Sequence, residues 1–436
     1  MPAPKHLPNT LKSWLEYIEA LHPKSIEMGL ERVRKIIQRL QLNPTFPIII
    51  VAGTNGKGST CAMLEQIYQQ AGYQVASYSS PHLMHYNERV RVNGQQATDE
   101  ALCEAFAAVE MGRQDTQLTY FEYGTLAAVW HFMHTKVDVA ILEVGLGGRL
   151  DAVNAFEPNC TIVTSIDLDH TEFLGDNRDS IGFEKAGVFR PSIPAICGDT
   201  FPPQTLIAHA NSINANLKLI GLDFRAEHEA SEWHYISSNR QDYLELRHLP
   251  MPALAGEFQL NNAACAITAI QCLQQMLPVQ AEHIKQGLSH VTLAGRFQQV
   301  ANHPSVILDV AHNPHAAQSL AENLHHQTCA GKTLAVFAML ADKDIAGVVK
   351  ALSPHIDCWY VASINSIRGA QAQQLANFIV SNNSNATVYQ HKEVTIAYQQ
   401  ACKDASENDR IIVLGSFFTV ADVMQYLAEH KSSPQS

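Results

Sequence analysis

Phe46-Pro-Ile-Ile-Ile-Val-Ala52 runs directly into Gly53-Thr-Asn-Gly-Lys-Gly-Ser-Thr60, and this junction decides the fold. The first part is an apolar run around one proline, closed by glycine, which predicts a buried strand. Thr60–Gln70 follows, with Met63, Leu64 and Ile67 spaced for one apolar helical face. A buried strand, a glycine-rich turn and a helix start together let successive backbone N–H groups face the oxygens of a phosphate. The spacing departs from the usual phosphate loop, because Gly58 stands between Lys57 and the hydroxyl residues. On this reading Lys57 neutralises the β- and γ-phosphates, and Ser59 or Thr60 offers a hydroxyl to a metal. A glycine-rich turn with a surface lysine has the same local composition, so the flanking strand and helix carry the argument.

Outward from that junction, Gln74–Ser80, Val137–Val144 and Cys160–Ile166 are further apolar runs. Such runs suit parallel strands covered on both faces. From about 198 to 255 the alternation fails. Trp233-His-Tyr-Ile and Tyr243-Leu-Glu-Leu-Arg alternate instead, which predicts an antiparallel excursion or an edge hairpin, and a helical segment follows at Asn261–Leu277. The α/β rhythm restarts with strands expected at Ser305–Val310, Thr333–Ala338, Cys358–Ala362, Thr387–Gln390 and Arg410–Leu414. The boundary is expected near Gly295–Gln299, dividing the chain into residues 1–297 and 298–436. The fold class is therefore α/β in two domains, each with a largely parallel sheet. The polar tail Lys431–Ser436 is expected to be disordered.

Composition narrows the function. The chain has 436 residues, 46% hydrophobic and 17% charged, with a formal net charge of −12. No Lys/Arg run has the density of a nucleic-acid arm, so no nucleic-acid partner is expected. The start lacks a secretory pattern, and no apolar stretch approaches the 18 or so residues of a membrane span. The nine cysteines are scattered without CxxC spacing and read as reduced, mostly buried residues of a cytoplasmic protein. No heptad or long exposed apolar edge suggests more than a monomer.

Four further segments carry chemistry. Glu143 ends an apolar strand, at the sheet edge where α/β proteins place their sites, and a carboxylate beside a phosphate loop suits Mg²⁺. Ser165-Ile-Asp-Leu-Asp-His170 gathers carboxylates and an imidazole at another strand end, as a metal shell or a structural turn. Leu308-Asp-Val-Ala-His-Asn-Pro314 opens the second α/β part. There Asp309 suits a ribose or adenine, while Asn313 before Pro314 is also an ordinary helix cap. Arg296, in Gly295-Arg-Phe297, is placed to reach ATP phosphates or to form a hinge ion pair.

Together Gly53–Ser59, Glu143-Val-Gly-Leu-Gly-Gly-Arg149, Gly295-Arg-Phe297 and Asp309-Val-Ala-His-Asn-Pro314 resemble the folylpolyglutamate synthase branch of the Mur ligase superfamily. Ser79-Ser-Pro-His-Leu83, Asn87-Glu-Arg-Val-Arg91, Thr119-Tyr-Phe-Glu-Tyr-Gly124 and Glu184-Lys-Ala-Gly187 extend the resemblance over roughly residues 11 to 428. It implies a P-loop ATPase-like domain joined to a smaller Rossmann-like domain, with the active site between them. It also implies ATP as co-substrate, bound by Thr54, Asn55, Gly56, Lys57, Gly58, Ser59, Asn262, Arg296 and Asp309. One or two Mg²⁺ ions would be held by Ser59, Ser80, Glu143 and His170. Lys185 matches the lysine that the family carbamylates to complete a second metal site. His312 is the candidate base for the incoming amine.

Ser25-Ile26-Glu27-Met28, Thr119-Tyr120-Phe121-Glu122 and Leu150-Asp151-Ala152 match the positions at which bifunctional members bind dihydropteroate. The resemblance thus implies an ATP-dependent ligase that adds L-glutamate to dihydropteroate and to folates, its partners being small-molecule substrates. A monofunctional polyglutamate synthase or another Mur-type ligase is the alternative. Only about 50 residues precede Gly53, too few for the uridine-nucleotide domain of a peptidoglycan ligase. A nucleotide switch or a simple ATPase would need no second-substrate residues.

Overall fold

The computed structural model describes residues 7–24, 26–229, 231–238 and 246–431. Ser25, residues 243–245 of the second alternating run, and the tail beyond 431 lie outside the described residues. The chain forms two units, Met1–Ala253 with Gln259–Val291, and Leu254–Phe258 with Thr292–Ser436.

The first unit is built on eight strands: β1 (Ile48–Ala52), β2 (Val75–Tyr78), β3 (Val90–Val92), β4 (Gln95–Gln96), β5 (Val139–Glu143), β6 (Cys160–Val163), β7 (Pro194–Cys197) and β8 (Asn216–Leu219). Their order is β4-β3-β2-β5-β1-β6-β7-β8. From β2 to β8 all neighbours are parallel, whereas β3 and β4 turn back antiparallel on β2. Every residue of β1 and β5 is buried, as expected of central strands covered on both faces. The helix after β1 begins earlier than the apolar spacing indicates, at Lys57, and runs to Gln70.

Two helices before β1, Leu11–Ala20 and Glu31–Leu40, pack Trp14, Ile18, Val33 and Ile36 into the core beside the helix Asp99–Arg113.

The parallel alternation does not stop near 198. It continues through the helix Gln204–Ser212 and the edge strand β8 before the antiparallel excursion begins. The strand Asn216–Leu219 was hidden because all four of its residues keep some exposure, so no apolar run marks it. Beyond it, β9 (Phe224–Glu229), β10 (Glu232–Ser237) and β11 (Leu249–Pro250) form an antiparallel sheet, in agreement with the alternation at Trp233–Ile236.

In the second unit, β12 (Gln298–Asn302), β13 (Ser305–Leu308), β14 (Thr333–Phe337), β15 (Cys358–Ala362), β16 (Thr387–His391) and β17 (Arg410–Leu414) take the order β12-β13-β17-β14-β15-β16. Only β12 is antiparallel to its neighbour. Four cysteines are buried and five half-buried, all as free thiols, which corrects the expectation that most are buried. Among the described residues no helix is long and apolar enough to cross a membrane.

Candidate active site

The turn after β1 is held from below by the segment that follows β6. Thr54 N donates to Ser165 O at 2.8 Å, and Asn55 N to Ser165 Oγ at 3.0 Å. Thr164 Oγ1 and Ser165 Oγ donate back to Asn55 O, at 2.6 and 3.0 Å. Thr54 Oγ1 donates to Asp167 O at 3.1 Å. Gly53 and Gly56 have φ of +145° and +86°, where L side chains are strained. A Cβ on Gly53 would strike Thr164, and one on Gly56 would strike Asn262. The helix starting at Lys57 has no side-chain cap, so its first amides are oriented along the axis toward the turn. Lys57 Nζ lies along the loop, donating to Gly53 O at 2.9 Å and Thr54 O at 3.1 Å.

Around the loop the hydroxyls and amides are buried. Ser59 accepts from Gln259 Nε2 at 3.3 Å, and Gln259 Oε1 accepts from Asn262 Nδ2 at 2.9 Å. Gln259 carries no signal in the sequence, because a glutamine inside an apolar helix belongs to no motif. Thr60 Oγ1 is buried without a hydrogen-bond partner among the described residues. Glu143, only 5% exposed at the end of β5, accepts from Ser80 N at 3.3 Å. His170 sits at φ +50° just after the segment that holds the glycine-rich turn, 3.8 Å from Asp169.

Lys185, on the last turn of the helix Arg178–Ala186, is 3% exposed, with the Asp169 carboxylate near enough to favour its charged form. Burial, and secondarily the charge of Lys57, brings its ammonium down to about 7. Among the described residues no three His, Cys, Asp or Glu side chains converge as a metal cage. The donor set is instead one buried carboxylate with serine hydroxyls, which suits a hard cation that keeps waters and phosphate oxygens as ligands.

The residues expected at the pteroate site divide into scaffold and surface. Thr119 and Glu122 close a capping box at the start of the helix Tyr120–His134, and Glu122 also pairs with Arg32 at 2.8 Å. Glu27 pairs with the same arginine at 3.2 Å. Asp151 accepts from the amides of Gly145, Leu146 and Val153 at 3.0, 2.9 and 3.1 Å. Burial pushes the Asp151 carboxyl up to about 7, against the pull of those three amides. Ala152 is buried beside it, and Leu150 O accepts from Gly29 N at 3.3 Å. Ile26, Met28, Tyr120, Phe121 and Leu150 remain half-buried. Phe121 packs against Tyr78 and Gly145, so the structure brings the 119–122 and 145–152 segments together.

In the second unit, the Asp309 carboxylate accepts from Phe297 N and Ala311 N, both at 2.8 Å. Burial raises its pKa, opposed by Arg296 and those amides. Arg296 lies over the ring of Phe417, 5.5 Å from its centroid, and His312 lies beside the same ring. His312 Nδ1 is 2.9 Å from Val310 O, a carbonyl that can only accept, so Nδ1 carries the proton. Asn313 caps the helix Pro314–His326 through Ala316 N at 2.9 Å. Phe417 was not singled out in the sequence; an aromatic after a strand carries no chemical signature.

The family model for the Mur ligase middle domain matches residues 51–270, and that for the Mur ligase glutamate ligase domain matches 295–417. The dihydrofolate synthase/folylpolyglutamate synthase of Escherichia coli K12 is 44% identical over 423 residues, 97% of this chain and 96% of that one. The Haemophilus influenzae protein of the same name is 39% identical, over 94% and 96%. The structure of the E. coli enzyme with DHPP and ADP superposes with a TM-score of 0.92 at 44% identity, covering 97% of this chain and 99% of that chain. The Yersinia pestis bifunctional enzyme with AMPPNP and Mn gives 0.89 at 44%, covering 97% and 100%. With the phosphate turn, the buried Glu143 and a relative of nearly half identical sequence along its whole length, the chain belongs to the dihydrofolate synthase/folylpolyglutamate synthase family of Mur ligases.

Proposed function

We propose that this chain joins L-glutamate to dihydropteroate, and to the γ-carboxyl of tetrahydrofolate, at the expense of ATP through an acyl phosphate. The observation that carries it is the clamped turn Gly53–Ser59 beside the buried Glu143, a phosphate cradle next to a carboxylate that suits a divalent cation. The acceptor carboxylate attacks the γ-phosphorus and ADP leaves. The glutamate amine then attacks the acyl carbon, and the tetrahedral species collapses with loss of phosphate.

Lys57 donates to the transferring phosphoryl group and stabilises the charge that spreads over its oxygens, joined by Arg296. Ser59, Ser80, Glu143 and His170 would hold Mg²⁺, which when bound neutralises phosphate charge. Lys185, whose buried amine is about half neutral at pH 7 and increasingly so above it, is suited to add CO₂ and become a carbamate that holds a second ion. The amine of glutamate must arrive neutral, and His312, with Nδ1 protonated, presents Nε2 as its acceptor. Asn262 and Asp309 complete the nucleotide site. Ile26, Met28, Tyr120, Phe121 and Leu150 form the apolar side of the pteroate site, fixed from behind by Glu27, Thr119, Glu122, Asp151 and Ala152. The enzyme works as a monomer in the cytoplasm on small-molecule substrates.

The test is ADP release from purified protein with Mg-ATP and glutamate, comparing dihydropteroate, tetrahydrofolate and no acceptor. Release with both acceptors, each recovered with one more glutamate, is expected. Acceptor-independent release would overturn the ligase reading. Lys57→Ala should lower turnover roughly 10²-fold or more while leaving circular dichroism unchanged.

A further inference from the structure

The segment Asn87-Glu-Arg-Val-Arg91 links the loop after β2 to β3. Two of its charged side chains are spent on structure. Arg91 is 2.7 Å from Glu65 and also donates to Ser77 Oγ, Ser79 Oγ and Glu88 O. The Glu88 carboxylate accepts from the amides of Leu83, Met84 and His85, each at 2.7 Å. Arg89 is different. It is half-buried, and its guanidinium lies over the rings of Tyr86 and Tyr120, 5.5 and 5.6 Å from their centroids. Its Nε donates to His82 Nδ1 at 2.8 Å. Among the described residues it faces no carboxylate, and neither terminal nitrogen has a hydrogen-bond partner. Because an arginine N–H can only donate, His82 Nδ1 is the acceptor and the ring proton sits on Nε2, which also has no partner among the described residues. A permanent cation with a forked pair of donors, joined by an imidazole N–H, matches a carboxylate.

Its position says which carboxylate. Ser79 N donates to Arg89 O at 2.9 Å, and β3 starts antiparallel beside the end of β2. Arg89 and Ser79, one residue beyond the ends of β3 and β2, therefore lie in line with Glu143 of β5 and Val51 of β1 at the carboxyl edge. Strand spacing puts Arg89 about 14 Å from the start of the phosphate turn, too far to serve the γ-phosphate. It stands between Ser80 on one side and Tyr120 on the other. The terminal glutamate of a folate would fit that gap, since its α-carboxyl lies roughly 5 Å from the reacting γ-carboxyl.

We infer that Arg89 and His82 dock the α-carboxylate of the terminal glutamate of a folate acceptor, a group that dihydropteroate lacks, so that this pair sets affinity for polyglutamylation separately from the first ligation. The inference rests on the proposed ligase activity.

The experiment measures KM for dihydropteroate, tetrahydrofolate and tetrahydropteroyl 4-aminobutyrate, which keeps the reacting carboxyl and lacks the α-carboxyl. Wild type should prefer tetrahydrofolate over the aminobutyrate compound by about 10- to 100-fold, the worth of a charged hydrogen-bond pair. In Arg89→Gln that preference should collapse, and KM for tetrahydrofolate should rise about 10- to 100-fold relative to KM for dihydropteroate. Arg89→Lys should recover part of it. Absence of the preference in wild type overturns the inference without any variant. So does an equal rise in KM for all three acceptors in Arg89→Gln, which would mark a contact to the reacting carboxyl or a purely structural role. Wild type that ligates glutamate to no acceptor would instead defeat the ligase reading itself.

Discussion

Lys185 is a primary amine placed where an ammonium ion is poorly solvated, and its pH behaviour follows. Its folded pKa is depressed to about 7 from 10.5, so the contribution to stability is fully present above 10.5 and fades as pH falls to 7. Unmodified protein in CO₂-depleted buffer should therefore gain stability from pH 7 to 10.5 in urea titrations, and Lys185→Met should lose that slope. With ¹³C-bicarbonate, a carbamate resonance should grow as pH passes 7, since only the neutral amine adds to CO₂. Wild type without that resonance at pH 8 would remove Lys185 from the metal site. At this scale the sequence showed residue types better than their duties. Lys57 and Glu143 were readable from a glycine-rich turn and a strand end. Thr119, Glu122, Asp151 and Asp309 were readable as site positions, yet their oxygens bind backbone amides or Arg32. A capping carboxylate and a ligand-binding one occupy the same kind of place, at a helix start or strand end. Gln259 and Arg89 became visible only when distant segments met.

Among the elements, the loop between β2 and β3 depends on Glu88, which gathers three amides on one carboxylate. Glu88→Gln keeps the size but loses the charge and one acceptor oxygen. The cost should be about 1–3 kcal/mol, as for a charged hydrogen bond with a group left unpaired. Hydrogen exchange should show residues 83–85 opening faster, while the buried strand β5 stays protected. Unchanged exchange at 83–85 would show that the amides have other acceptors. The long central strands were legible because burial on both faces makes their sequences uniformly apolar. Cys358–Ala362 and Arg410–Leu414 match the expected bounds residue for residue. The edge strand β8 was not, since all four of its residues keep some exposure and no apolar run marks it; the helices at Leu11–Ala20 and Glu31–Leu40 carry apolar faces at helical spacing that lie outside the strand-and-turn pattern of the sheet.

For the molecule, ligand linkage gives a direct measurement. Mg-ADP at 100 times its Kd stabilises the nucleotide-binding fold by about 2.7 kcal/mol. That corresponds to a rise of roughly 5 °C in the thermal transition of a unit this large. Lys57→Ala should erase most of the shift, and an equal shift in that variant would place the nucleotide elsewhere. Both cores and the doubly covered sheets were foreseeable from alternating apolar runs. The two-part division was foreseeable too, but the return of Leu254–Phe258 to the second unit was not, because five residues leave no periodic trace. The eight-stranded sheet ends in β4, two exposed glutamines, and in β8, four residues that all keep some exposure. A strand from another copy would find few amides to zip onto at either rim of this sheet, so edge-to-edge growth through the large sheet is disfavoured.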